Sequence, residues 1–229
     1  MKKIGIIAAM QEEMKAIKEI MENTRKNTIY ELEFIEGKIN NKACVLVQCG
    51  VGKVNSSRVT QIMIDNYEIE YLINVGSAAT ANQDLQIGDI VIGKTLVQHD
   101  FDITAFGHKK GYISNVGEEI SSDIQLINKF EKEISNLNSS KYTVKIGTIA
   151  SGDIFCTEEW MKQKINSKFN ADAIEMEGAA IAQVCYLDKI PFIVIRSISD
   201  SPNGNNNITF EKYLELASRR CSEIIKKVI

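Results

Sequence analysis

Apolar residues fall in two rhythms along this chain. Short, almost continuous runs of Ile, Val, Leu and Ala at residues 3–8, 71–75, 90–97, 142–150, 173–176 and 192–198 predict strands buried on both faces. Residues 29–36 and 43–49 read as a strand pair joined by the turn-forming Asn40-Asn41. Between them, apolar positions three and four apart predict helices over 12–21, 54–66, 122–137, 157–168, 178–187 and 210–228. Strands alternating with helices predict an α/β protein. The expected architecture is one domain over residues 1–229, three layers αβα, with a central mixed, mostly parallel sheet. Two segments read as functional loops, residues 99–116 and the Ser-Pro-Asn-Gly-Asn-Asn-Asn stretch at 201–207.

Composition narrows the classes. The chain has 229 residues, 44% hydrophobic and 25% charged, with a formal net charge of −3. That balance suits one sizeable core and gives no general attraction to nucleic acid or an anionic membrane. No apolar stretch approaches the ~20 residues of a membrane span. Met1-Lys2-Lys3 leads directly into a strand rather than into a signal-peptide apolar region, so a cytoplasmic protein is expected. Cys44, Cys49, Cys156, Cys185 and Cys221 form an odd set without C-x-x-C spacing, which argues against a disulfide framework and a structural zinc site.

Ligands of α/β sheets bind beyond the carboxyl ends of the strands. Carboxylates gather there in this sequence. Gln11-Glu12-Glu13 follows the first strand, Ser151-Gly152-Asp153 follows residues 142–150, Glu177 follows 173–176, and Ser199-Asp200 follows 192–198. Each alone is explained by a helix macrodipole or a turn. Together they describe a pocket for proton transfer and sugar hydroxyls, and a poor one for phosphate.

Gly50-Val51-Gly52-Lys53-Val54-Asn55 resembles a dinucleotide-binding turn, but Asn55 replaces the third glycine and Val54 breaks the Walker pattern. Gly76-Ser77-Ala78-Ala79 reads as a tight strand-exit turn, and either loop can bring backbone close to a small polar ligand. His99 and His108, the only histidines, make weak metal ligands across a loop, so no metal is expected. Met10, Met14, Phe106 and Phe210 either line an apolar pocket or pack in the core.

Several segments carry a family resemblance. They include Ala8-Ala9-Met10-Gln11-Glu12-Glu13, Gly50-Val51-Gly52-Lys53-Val54, Asn74-Val75-Gly76-Ser77-Ala78 and Gly88-Asp89-Ile90-Val91. His99-Asp100-Phe101-Asp102-Ile103-Thr104-Ala105-Phe106-Gly107, Ser151-Gly152-Asp153-Ile154-Phe155, Glu175-Met176-Glu177-Gly178-Ala179-Ala180 and Arg196-Ser197-Ile198-Ser199-Asp200 continue the series. In this order and spacing the chain resembles the bacterial 5′-methylthioadenosine/S-adenosylhomocysteine nucleosidases of the nucleoside phosphorylase-like superfamily.

The resemblance implies a cofactor-free hydrolase that releases adenine from 5′-thio-substituted adenosines, in methionine salvage and S-adenosylmethionine by-product recycling. It implies Asp200 as the acid for the leaving base and Glu13 as the base for water. Glu177 and Met176 then hold the ribose, and Phe155, Cys156 and Ser199 the adenine. Met10, Val51 and Phe210 form the 5′-substituent pocket, joined by Ile103 and Phe106 from the second subunit of a homodimer. Gly76, Ser77 and Ala78 lie near the ligand. The chain departs from the family pattern at Ala79 and Thr80, where glycines are common, and in lacking a proline within Gly111-Tyr112-Ile113-Ser114.

Two other readings compete. A nucleoside phosphorylase on the same fold needs an anion pocket, for which Arg58 and Arg196 are the available residues, although surface exposure or carboxylate pairing explains both. A non-catalytic nucleoside sensor would bind without releasing the base. A dinucleotide-dependent oxidoreductase is the most distant, given the broken glycine pattern.

Overall fold

The computed structural model describes residues 2–135, 142–200 and 206–229, excluding the side chains of 135 and 206–212. Apolar runs form the sheet as expected. Strands β1 (Lys3–Ala8), β4 (Lys42–Gln48), β5 (Ile69–Thr80) and β10 (Phe192–Asp200) pair in parallel in the order β4-β1-β5-β10. A second parallel group joins β6 (Ile90–Gln98), β8 (Val144–Ser151) and β9 (Ala173–Glu175). Antiparallel contacts β10–β6 and β5–β9 link the groups, so that β5, β10, β6, β8 and β9 close into a ring. Ring closure brings the ends of β9 and β10 next to β5, which an open sheet would not do.

The helices are α1 (Gln11–Lys18), α2 (Lys53–Asn66), α3 (Ile124–Ser135), α4 (Glu159–Phe169), α5 (Gly178–Asp188) and α6 (Asn206–Val228). Side chains of a strand alternate between faces. Ile7, Val45, Val47 and Val194 pack against Val59 and Met63 of α2 and Ile181 and Cys185 of α5. Ile6, Leu46, Ile193 and Ile195 face Ile17 of α1, Phe130 of α3, and Ile224 and Ile225 of α6. The result is helices, sheet, helices. A smaller cluster of Ala150, Cys156, Ile165 and Ile174 seats α4 at one end of the ring.

Three local expectations change. Residues 29–36 are not one strand. The chain turns at Tyr30-Glu31, both left-handed (φ 49° and 65°), between β2 (Glu22–Ile29) and β3 (Leu32–Ile39). Strand β2 has no apolar alternation because it pairs on one side only and its side chains stay in solvent, with Lys26 bridging to Glu33 (2.7 Å). Residues 76–80 are strand, not a turn, because β10 runs beside them with Gly76 opposite Arg196 and Ala79 opposite Asp200. The loop at 99–116 holds a short 3-10 turn, Thr104–Phe106, and β7 (Ile120–Ser121) then pairs with β6. The 201–207 stretch lies outside the described residues except for its last two, which open α6.

Phe34 of β3 is fully buried and its ring lies 5.4 Å from that of Tyr67. Phe34→Ala is expected to cost about 3–5 kcal/mol, read as a lower urea midpoint at unchanged slope.

Candidate active site

The first site residue is placed by the turn after β1. Glu13 stands in the first turn of α1 and folds back over it. Its Oε2 accepts from the backbone N–H of Ala9 and Met10 (3.1 Å each), and its Oε1 from the Ser77 N–H (2.9 Å) and hydroxyl (3.1 Å). These four hydrogen bonds fix its position. Burial pushes its pKa above the usual value, opposed by the Arg196 charge and these hydrogen bonds. Gly76 leaves the room this needs. A Cβ there would lie 2.9 Å from both Glu13 Oε1 and Arg196 Nη1.

A second group forms where β9 ends. Glu175 accepts from the N–H groups of Glu177 (3.0 Å) and Gly178 (2.8 Å), satisfying the start of α5, and also from Ser151 and Arg196. The Arg196 guanidinium holds Glu175 below the usual carboxylate range despite burial. Arg196 itself is 1% exposed, donates to Asn74 Oδ1 (2.6 Å), and has Nη2 3.7 Å from Glu177. Its charge is thus taken up by carboxylates, the second of the sequence explanations for it. Its Nη1 has no hydrogen-bond partner among the described residues and stands beside Gly76 on the cavity wall.

Glu177 accepts one hydrogen bond from Gly52 N–H (3.0 Å). Burial, and then the neighbouring Glu175 charge, push its pKa up to about 8. Gly50 and Gly52 have φ of 79° and 100°, the left-handed geometry that presents this N–H. The next N–H, that of Lys53, bonds Asp153 Oδ1 (2.8 Å). The glycine turn before α2 therefore binds the protein's own carboxylates where a phosphate would otherwise sit. Asp153 serves this purpose and does not line the cavity.

Asp200 ends β10, 2% exposed. Its Oδ2 accepts from Lys162 Nζ of α4 (2.8 Å), and its Oδ1 has no hydrogen-bond partner among the described residues. Burial raises its pKa and the Lys162 charge opposes that.

Glu13, Glu177 and Asp200 open on one half-enclosed cavity of about 300 Å³. Met10, Val51, Phe155, Cys156 and Met176 share its wall, as do Gly76, Ser77 and Ala78. Ser199 is fully buried and its hydroxyl donates to the Ala78 carbonyl (3.3 Å), so it ties β10 to β5 behind the cavity. Ile103 and Phe106 do not line this chain's own cavity, and the Phe106 side chain is 82% exposed. The Phe210 side chain lies outside the described residues. Ala79 lines the cavity, whereas Thr80 turns inward to donate to the Asn82 carbonyl (2.8 Å). Arg58 lies far from this chemistry in role, donating to the Tyr30 carbonyl (3.1 Å) at the surface.

Sequence reasoning did not single out Glu175 and Lys162, which the structure pairs with Arg196 and Asp200. A charge closing the apolar run Ala173-Ile174 was the available signal for Glu175. Lys162 gave none, because lysine on an amphipathic helix reads as solvated.

The phosphorylase superfamily model matches residues 3–229. A 5′-methylthioadenosine/S-adenosylhomocysteine nucleosidase of Staphylococcus haemolyticus (strain JCSC1435) is 39% identical over 227 residues, covering 99% of this chain and 98% of the relative. The solved nucleosidase of the same name from Neisseria meningitidis, in complex with methylthio-immucillin-A, superposes with a TM-score of 0.95 at 32% identity, covering 100% and 98% of the two chains. The futalosine hydrolase of Helicobacter pylori strain 26695 gives a TM-score of 0.94 at 32% identity, covering 99% and 97%. The chain belongs to the phosphorylase superfamily and, within it, to the family of 5′-methylthioadenosine/S-adenosylhomocysteine nucleosidases.

Proposed function

We propose that this protein hydrolyses the N-glycosidic bond of 5′-methylthioadenosine and S-adenosylhomocysteine, with 5′-deoxyadenosine as a further substrate, releasing adenine and the 5-substituted ribose. The observation that carries this reading is a small cavity with carboxylates around a partly apolar wall, where the charge of the one lining arginine is balanced by Glu175 and Glu177 against its Nη2. An incoming phosphate would meet Glu13, Glu175 and Glu177 rather than a free cation, which favours water as the acceptor. The names of the relatives point the same way.

In this reading Asp200 Oδ1 protonates the leaving base, because an adenine anion departs poorly. Glu177 takes the ribose hydroxyls beside Met176. Glu13 removes a proton from the attacking water, and the negative field of Glu13 and Glu177 stabilises the oxocarbenium-like centre as charge develops. Phe155 and Cys156 hold the adenine, with Ser199 stiffening the strand that carries Asp200. Met10, Val51 and Phe210 receive the 5′-substituent. General acid and base steps supply ~10²–10⁴-fold each, so positioning and electrostatics provide the remainder.

The exposed Phe106 supports a homodimer in which Ile103 and Phe106 reach the partner's site, since an apolar ring in open solvent favours burial against another surface. Five buried, unbridged cysteines support a reducing, cytoplasmic setting. Among the described residues no helix is long and apolar enough to cross a membrane.

Incubation with 5′-methylthioadenosine should yield adenine and free methylthioribose by mass spectrometry, at a rate indifferent to phosphate. Methylthioribose 1-phosphate formed only with phosphate would make the protein a phosphorylase, and binding without base release would make it a sensor. Asp200→Asn and Glu13→Gln should each lower kcat by at least ~10²-fold while nucleoside binding persists, measured by steady-state kinetics and calorimetry. The kcat–pH profile should be bell-shaped. Burial raises the Glu13 pKa, so the ascending limb, where Glu13 must lose its proton, lies above the ordinary glutamate value of 4.5. The descending limb follows loss of the proton from Asp200, whose pKa burial also raises.

A further inference from the structure

Lys162 occupies a position that packing alone does not explain. On α4 the inward stripe is Lys162 and Ile165, three residues apart, both buried. The lysine side chain is 1% exposed and that of its partner Asp200 is 3% exposed. Burying an ion pair is costly, and an apolar pair would fill the same space without that cost. The pair also separates two spaces. Asp200 borders the main cavity, and Lys162 lies behind it, bordering a polar cleft with Asn82, Asp84, Glu159 and Asn166.

We propose that Lys162 is the positioning residue for proton delivery, fixing Asp200 with Oδ1 toward the cavity and neutralising the carboxylate left when the proton has gone to the base. This rests on the hydrolase reading above. The proton on Asp200 Oδ1 passes to a ring nitrogen of the base as the electron pair of the C1′–N bond leaves with the base. Water oxygen bonds to C1′ and its proton goes to Glu13. Exchange with solvent then returns Asp200 and Glu13 to their starting states.

Few other charges compete for this role. Cys156, just before α4, interacts electrostatically with both members of the pair, and burial pushes its thiol up to about 11, so it stays neutral. Glu13, Glu175, Glu177 and Arg196 face Asp200 across the cavity, and Asp84 and Glu159 border the outer cleft. Lys162 is the cation that directly contacts the Asp200 carboxylate among the described residues.

The test compares wild type with Lys162→Met, Lys162→Gln and Lys162→Arg on two substrates. One is 5′-methylthioadenosine, whose base needs a proton to leave. The other is a 4-nitrophenyl 5-methylthioriboside, whose nitrophenolate leaves without one. The neutral variants should lose ~10–10²-fold in kcat on the adenosine, with a fall at least ~10-fold smaller on the nitrophenyl substrate. Their descending pH limb on the adenosine should move up by about one unit or more, because Asp200 keeps its proton longer without a neighbouring cation. Lys162→Arg should recover part of the rate and of the wild-type limb.

An unchanged rate and pH limb in the neutral variants would overturn the proposal, as would equal losses on both substrates, which mark general damage to the site. If Lys162→Met does not fold, the Gln and Arg variants decide on the same two readouts. Absence of base release by the wild-type protein would instead overturn the hydrolase reading, independently of Lys162.

Discussion

A buried arginine shared among carboxylates is the constraint on which the site depends. Arg196 rises from the middle of an apolar strand, almost without solvent contact, and its Nη2 faces Glu175, Glu177 and Asn74. A lone guanidinium there would be severely penalised, and so would any one of the acids. Held together, they require β9, β10 and the start of α5 to meet at one point, which the closed ring of strands provides. Removing Arg196 would leave buried carboxylates uncompensated, so the fold and the site share this contact.

The balance is deliberately uneven in physical terms. Glu13, Glu175 and Glu177 surround a single guanidinium, and the environment sorts them into different states. Glu175 takes the arginine and the helix start, so it is structural and ionised. Glu177, left beside that charge, has its pKa pushed up to about 8, so a cation forming in front of it is what draws it fully into the ionised state. Glu13 is held by four donors yet buried, poised for proton exchange. Such a cavity repels an anion and is incomplete without positive charge. A sugar carbon that turns cationic as its bond to the base breaks supplies what is missing, which is how preorganised electrostatics lowers a barrier.

Much of this was legible from residues alone. Strands β1, β9 and β10 are apolar runs that demand burial, and the acids at or just after their ends fall on one edge by the rule that ligands meet strand ends. That rule singles out Glu13, Glu177 and Asp200, and the structure brings the three to one cavity wall. What escaped depended on partners distant in sequence. Strand β2 carries Glu, Asn, Thr, Arg and Lys, and only its pairing with β3 makes it a strand. Residues 76–80 extend β5 because β10 lies alongside. Lys162 is indistinguishable in sequence from the solvated lysines of α4, and its burial follows from how that helix seats on the ring.

The central claim is that the cavity is electrostatically complementary to a cationic sugar. The direct measurement is calorimetric binding of two matched 5′-methylthio adenine nucleoside analogues, one with a protonated pyrrolidine in place of the ribose and one with a neutral carbocycle. The account predicts that the cationic analogue binds at least ~10²-fold more tightly, as expected of a transition-state mimic. It also predicts that Glu177→Gln removes much of that advantage. Equal affinities for the two analogues would contradict it.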